Sequence, residues 1–206
     1  MVRSKKIMKK VSNIRVFLSF FIIILILSLQ SWAKADDIRD FEIEGVSIGD
    51  SLLDHFSENK IKNSIKKGMF ERIKDETFIL TEIEDNNFDN YERIQFIFKK
   101  FDKKYIIFGI HGVLWIRNDM NKCMKKMNEI SLEINNTINY TDNYEFENEE
   151  MYNLGVYSGN VYKLKDGYIS IHCYDWNNKT ETEKNWVDNL RVNIKTNEYE
   201  DFLNKD

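Results

Sequence analysis

Between residues 167 and 178 the chain reads GYISIHCYDWNN, which places His172, Cys173, Asp175 and Trp176 within five positions. Histidine, cysteine and aspartate are the residue types of metal centres and thiol active sites. The spacing argues against both. Side chains of an extended segment alternate between faces. Ile169, Ile171, Cys173 and Asp175 therefore share one face, and Tyr168, Ser170, His172, Tyr174 and Trp176 share the other. His172 and Cys173 point apart and cannot hold one ion. Zinc takes four ligands, commonly from closely spaced cysteine pairs, and the other cysteine, Cys123, lies 50 residues away. A nucleophilic thiol needs a base and an electropositive, partly exposed setting. Cys173 instead shares its face with two isoleucines, and Cys123 falls on the apolar stripe of a predicted helix. The reading is therefore no metal ligand set, no cofactor and no catalytic residue, but a Cys123–Cys173 disulfide formed in an oxidising compartment.

The opposite face of the same segment carries Tyr168, His172, Tyr174 and Trp176, with Trp186 near in sequence. Such a row can serve as a stacking platform for a sugar or an aromatic ligand. The more ordinary use of such a row is the second buried face of a central strand, with Tyr162 packing across a hairpin. The remaining histidines, His55 and His111, sit beside Phe56 and in an apolar strand, and read as structural. Asp85, Asn87 and Asp89 alternate as in a calcium loop, but Asn90 stands where the loop needs glycine and Phe96 where it needs glutamate. No serine elbow, phosphate loop or dinucleotide fingerprint is present.

The elements that would position these residues follow from periodicity. FEIEGVSIG (41–49) reads as a strand bulged at Gly45, followed by a short amphipathic helical stretch from Leu52 to Ile65, closed by Gly68. TFILTEI (77–83), YERIQFIFKK (91–100) and the nearly continuous apolar run KKYIIFGIHGVLWI (103–116) read as strands, the last two as a hairpin. Gly109 and Gly112 mark a bulge or close packing. Met120, Cys123, Met127, Ile130, Ile134 and Ile138 recur at helical spacing after a cap at Asn118 or Asp119. Residues 139–159 read as an acidic, irregular stretch. Asp166-Gly167 then predicts a type I′ turn between two alternating runs. VDNLRVNI (187–194) is the last strand, and Asn197 with Glu200 starts a short terminal helix. The predicted fold is α+β: a mainly antiparallel sheet of about six strands with a long helix and shorter helices packed on it.

Residues 1–35 read as a signal peptide. MVRSKKIMKKVSNIR is basic without an acid, VFLSFFIIILILSL is a 14-residue apolar run, and Ala33-Lys34-Ala35 has the small-x-small form of a cleavage site. These are the only two alanines in the chain. The alternative is an N-terminal membrane anchor. A helix of that run spans about 21 Å, against about 30 Å of hydrocarbon. Cleavage after Ala35 removes seven basic residues and no acid. It leaves 23 Lys and Arg against 34 Asp and Glu over a single domain at 36–206, a net charge of −11. Such a surface repels nucleic acid and anionic headgroups, so the expected partner is a protein or small molecule, and no membrane after cleavage. The absence of proline and the abundance of Asn, Lys and Ile read as the bias of an AT-rich genome.

DIRDFEIEGVSIGDSLLDHFS, NDMNKCMKKMNEI, YISIHCYDW and DNLRVNI together resemble the pattern of an uncharacterised family of small exported hypothetical proteins from AT-rich marine bacteria. The resemblance spans most of residues 36–206. It implies export and brings no activity or site residue with it. The functional expectation is a periplasmic or secreted binding or interaction module. The alternative is a carboxylate-based hydrolase of the periplasm, whose paired acids would converge only in the folded chain.

Overall fold

A computed structural model describes residues 34–66 and 76–205. The leader segment expected over 1–33 and the helix stop expected at Gly68 lie outside the described residues. Ala35–Asp206 forms one compact unit. Among the described residues no helix is long and apolar enough to cross a membrane. Ala35 itself is bonded into the fold: its N–H donates to Thr137 O, and its carbonyl accepts from Asn139 N.

The chain is α+β. A small hairpin, β1 (Glu42–Ile43) and β2 (Val46–Ser47), precedes helix α1 (Glu58–Asn63). The main sheet has eight antiparallel strands. Four come first: β3 (Ile65–Lys66), β4 (Phe78–Ile83), β5 (Arg93–Lys99) and β6 (Ile107–Trp115). After helix α2 (Met120–Thr137) come β7 (Asp142–Glu150), β8 (Gly155–Lys163), β9 (Gly167–Trp176), helix α3 (Asn178–Lys184), β10 (Asn189–Thr196) and helix α4 (Asn197–Leu203). The strand order is β3-β4-β5-β6-β10-β9-β8-β7. The last strand is therefore inserted between the two meanders, pairing with β6 on one side and β9 on the other.

One sheet face carries the main core. Cys123, Met127, Ile134 and Ile138 on the α2 stripe meet Ile169, Ile171 and Cys173 of β9 and Leu190 and Val192 of β10. Ile38, Ile43, Val46, Leu52 and Ile61 cover the neighbouring strands on the same side. Asp119 caps α2 by accepting from Lys122 N at 3.0 Å. Cys123 and Cys173 form a disulfide that ties α2 to β9. Helix α4 covers part of the other face. Tyr199 and Phe202 pack with Phe78, Leu80 and Ile97 in a second, smaller core. Gly109 makes that approach possible, since a Cβ there would lie 2.8 Å from the Tyr199 ring.

Four local readings change. FEIEGVSIG is no single strand but a tight hairpin. Glu44 and Gly45 both adopt positive φ, 53° and 74°, the left-handed pair of a type I′ turn. The turn before β9 is not of that type, because none of Lys165, Asp166 and Gly167 has positive φ. Glycine is needed at 167 for space: a Cβ would lie 2.2 Å from Lys195 O and from Ile38 Cδ1. The acidic stretch over 139–159 holds β7 and the start of β8, and Ile65, expected at the end of a helical stretch, opens β3; with β7 and β3 the main sheet has eight strands rather than the six expected. The terminal helix is capped by Thr196, whose hydroxyl accepts from Tyr199 N at 3.2 Å, rather than by Asn197.

Candidate functional site

The half of the second face formed by β7, β8, β9 and β10 gathers chemistry that the main core does not use. Strand register assigns the neighbours. Arg191 on β10 is directly opposite His172 on β9, His172 is opposite Gly159 on β8, and Gly159 is opposite Phe146 on β7. One register step on, Trp115 of β6 faces Asn189, Asn189 faces Tyr174, and Tyr174 faces Tyr157. His111 of β6 is opposite Asn193, hence diagonal to Arg191 on the same face. Gly159 again supplies room: a Cβ there would lie 2.4 Å from His172 Cδ2 and 2.8 Å from Phe146 Cζ. Two rings therefore lie over that strand.

The expected platform residues are present on this face, but their rings are used differently from the expectation. Tyr157 and Tyr174 stack at 5.8 Å between centroids and 9° between planes. Tyr174 and Trp176 stack at 5.2 Å and 14°. The Arg191 guanidinium lies 5.1 Å from the Tyr174 centroid. Trp176 is only 8% exposed. Trp186 packs edge-on against it at 4.7 Å. The Trp176 indole N–H donates to Val187 O at 3.2 Å, and the Trp176 backbone N–H donates to the buried Asp188 carboxylate. Ring faces that stack on one another are not free for a ligand, so the row presents edges and hydroxyls. Tyr168 sits apart under Lys163, whose ammonium is 5.8 Å from its centroid. Tyr162 does not join the row at all. It is opposite Ile169 on the main-core face and packs against Tyr140.

Polar groups fill the space beside the rings. His172 Nδ1 is 3.1 Å from Tyr174 Oη, and His111 Nδ1 is 3.4 Å from Gln95 Oε1. Gln95 in turn donates to Glu82 at 2.7 Å, and Asn193 donates to Ser170 Oγ at 3.1 Å. Four buried polar atoms on this face have no hydrogen-bond partner among the described residues: His111 Nε2, His172 Nε2, Arg191 Nε and Asn189 Oδ1. Burial, with the charges of Lys195 and Arg191, holds His172 down to about 3, so it is neutral near pH 7. His111 is held well below the ordinary imidazole range by burial, then by Arg191, Lys195 and His172. Lys195 is ion-paired with Glu200 of α4. No carboxylate pairs with Arg191 among the described residues.

A cleft of about 140 Å³ lies on the α2 side of the sheet, between Met120 and Met124 of α2, Glu147 and Asn148 of β7, Val156 and Ser158 of β8, and Cys173 and Asp175 of β9. It brings two carboxylates together, and burial and the Asp188 charge push the Asp175 carboxyl up. The other sequence candidates have local partners. His55 Nε2 is 3.5 Å from Asp50. Asp85 is engaged by Lys60 and by Asn87 N and Nδ2.

The sequence reading missed Arg191, Asn189, Tyr157 and Phe146. A signal was available for two of them. In DNLRVNIK the polar residues Asn189, Arg191, Asn193 and Lys195 alternate with Leu190, Val192 and Ile194, which marks a polar face on a strand otherwise buried. What it would meet depends on the insertion of β10 between β6 and β9, which no local pattern encodes. Comparison with known proteins finds no matching family model, no matching curated protein and no matching solved structure.

Proposed function

We propose that this protein is an exported, non-catalytic binding module that holds its ligand on the β7–β10 half of the second sheet face. One observation carries the reading. Arg191 Nε, His172 Nε2 and Asn189 Oδ1 are buried and unpartnered on neighbouring strands, and a buried polar atom without a partner costs about 1–3 kcal/mol. A native fold that places three such atoms beside a rigid aromatic row resembles a binding surface more than a core. The stacked rings Tyr157, Tyr174 and Trp176 make the floor stiff, so little order has to be acquired on binding.

The test is shift mapping by NMR against a panel of sugars, amino acids and short peptides. Shifts confined to His172, Tyr157, Tyr174, Asn189 and Arg191 support the reading. Shifts elsewhere only, or none with any compound, sink it. Export is tested by the intact mass of protein from the exported fraction, which should begin at Asp36 with both cysteines unreactive until reduced. A full-length mass with free thiols removes the compartment from the proposal.

The hydrolase alternative has one observation in its favour, the convergence of Glu147 and Asp175 in the α2 cleft. The cleft is small beside the roughly 300–1,000 Å³ of typical ligand pockets, so the binding reading is preferred. Turnover abolished by Asp175→Asn would reverse that preference.

A further inference from the structure

We infer that the ligand of the open sheet half carries a carboxylate, and that Arg191 with His172 receives it. The inference deepens the binding reading above and rests on it. Arginine stays charged under all ordinary conditions and presents a planar fork of N–H donors that matches a carboxylate. Arg191 is half-buried, and no acid pairs with it among the described residues. The nearby Glu200 is taken by Lys195, and Asp188 accepts from Trp176 N and Asn118 N. The Arg191 guanidinium lies over the Tyr174 ring, which restricts its orientation, and Arg191 is the register partner of His172. Tyr174 Oη can donate to His172 Nδ1, and that tautomer puts the imidazole proton on Nε2, the unpartnered nitrogen. Arg191 Nε–H and His172 Nε2–H are then two donors from directly paired residues. A group with two acceptor oxygens in one plane satisfies both and neutralises the Arg191 charge.

The charge of the whole domain narrows the class further. With 23 basic against 34 acidic residues after position 35, a polyanion meets repulsion over most of the surface. A single small carboxylate meets only the local cation, because surface charges beyond about 8 Å are largely screened at physiological ionic strength. Small organic acids and acidic sugars fit this condition, and nucleic acids do not.

The experiment titrates wild-type protein with sodium acetate, glucuronate, glucose and sodium sulfate at constant ionic strength. The Arg191 15Nε and the His172 ring nitrogens are followed by NMR. Acetate and glucuronate are expected to move both residues, and Arg191→Gln should weaken binding by about tenfold or more. Arg191→Lys, which keeps the charge without the fork, should bind between the two. Equal binding of carboxylates to wild type and Arg191→Gln would overturn the inference. So would sulfate binding as tightly as acetate, since planar recognition would then be absent. Glucose and glucuronate binding alike on this face would overturn the carboxylate assignment and leave the module reading standing. No shift at Arg191 or His172 with either carboxylate also overturns it, and the wider panel then decides the module reading separately.

Discussion

The second face of the sheet is finished in two ways. Over β4–β6 the chain closes it with its own helix. Phe78, Leu80 and Ile97 are covered by Tyr199 and Phe202, and the five side chains are each at most 3% exposed. Beside β9 and β10 the same helix contributes Glu200, which pairs with Lys195, and the face beyond it carries Tyr, His, Arg and Asn side chains. Both halves contain aromatic rings, and both mix the two ring geometries. In the covered half Phe78 meets Phe202, Tyr199 and Phe108 edge-on, while Tyr199 and Phe202 stack. In the open half Tyr157, Tyr174 and Trp176 stack in a row, while Phe146 meets Tyr157 and His172 edge-on. Aromatic content alone therefore does not distinguish a core from a surface for ligands. What separates them is the polar lining: the covered half has His111 Nε2 unpartnered beside Tyr199, whereas the open half adds Arg191, His172 and Asn189, a cation among them.

The largest expected effect tests whether the two halves share one scaffold. Replacing Cys123 and Cys173 by serine should cost about 4 kcal/mol, given loop closure over a separation of 50 residues. Urea unfolding should show a single transition moved to lower denaturant. Two separate transitions would mean that the halves are not cooperative. Next, Phe202→Ala in the covered half should cost about 3 kcal/mol by transfer and cavity terms, with ligand binding on the open half unchanged. Lost binding would show that α4 shapes the open half as well.

Acid sharpens the contrast, because the titrating groups sit between the halves. His172 faces Tyr174 on β9, Tyr157 and Phe146 on β8 and β7, and Arg191 and Lys195 on β10. His111 faces Gln95 on β5, Tyr199 on α4, and the same Arg191 and Lys195. Both imidazoles are held below their unfolded value near 6.5, so the unfolded chain binds more protons and stability rises with pH. The stabilisation is complete above about 6.5 and is lost as pH falls toward about 3, the value for His172. The slope cannot exceed about 1.4 kcal/mol per pH unit per histidine. His172→Gln should flatten part of it in thermal melts from pH 7 to 4, and an unchanged slope would mean that His172 titrates normally.

The smallest effects belong to the open half itself. Tyr174→Phe removes the hydroxyl beside His172 Nδ1 and should cost about 1 kcal/mol. Arg191→Met removes a charge with no acidic partner, and stability should stay within about 1 kcal/mol or rise. A loss well beyond that would assign Arg191 to the scaffold and remove the difference between the halves.

Much of the scaffold was legible locally. The α2 stripe, the apolar β6 run and the opposed faces of β9 follow from periods of 3.6 and 2, and the cysteine pairing agrees with the count of two and the opposed apolar positions of Cys123 and Cys173. β7 was not legible. DNYEFENEE has two aromatic residues among acids and Asn and eight of its nine residues exposed, and it is a strand because β8 pairs with it. The glycines were read correctly as special, but not for the right reason in each case. Gly167 serves close approach rather than a turn, and Gly45 serves a turn rather than a bulge.

The sequence by itself determined that this chain is α+β with a disulfide and a strand polar-aromatic on one side, because those properties depend on composition and short periods. The tertiary structure alone decided that Arg191 lies beside His172, that Tyr157 rather than Tyr162 completes the stack, and that α4 closes only half of the face. Each depends on which strands are neighbours. β10 joins residues far apart in the chain, His111 and His172, to one face, and no spacing within any single segment carries that information.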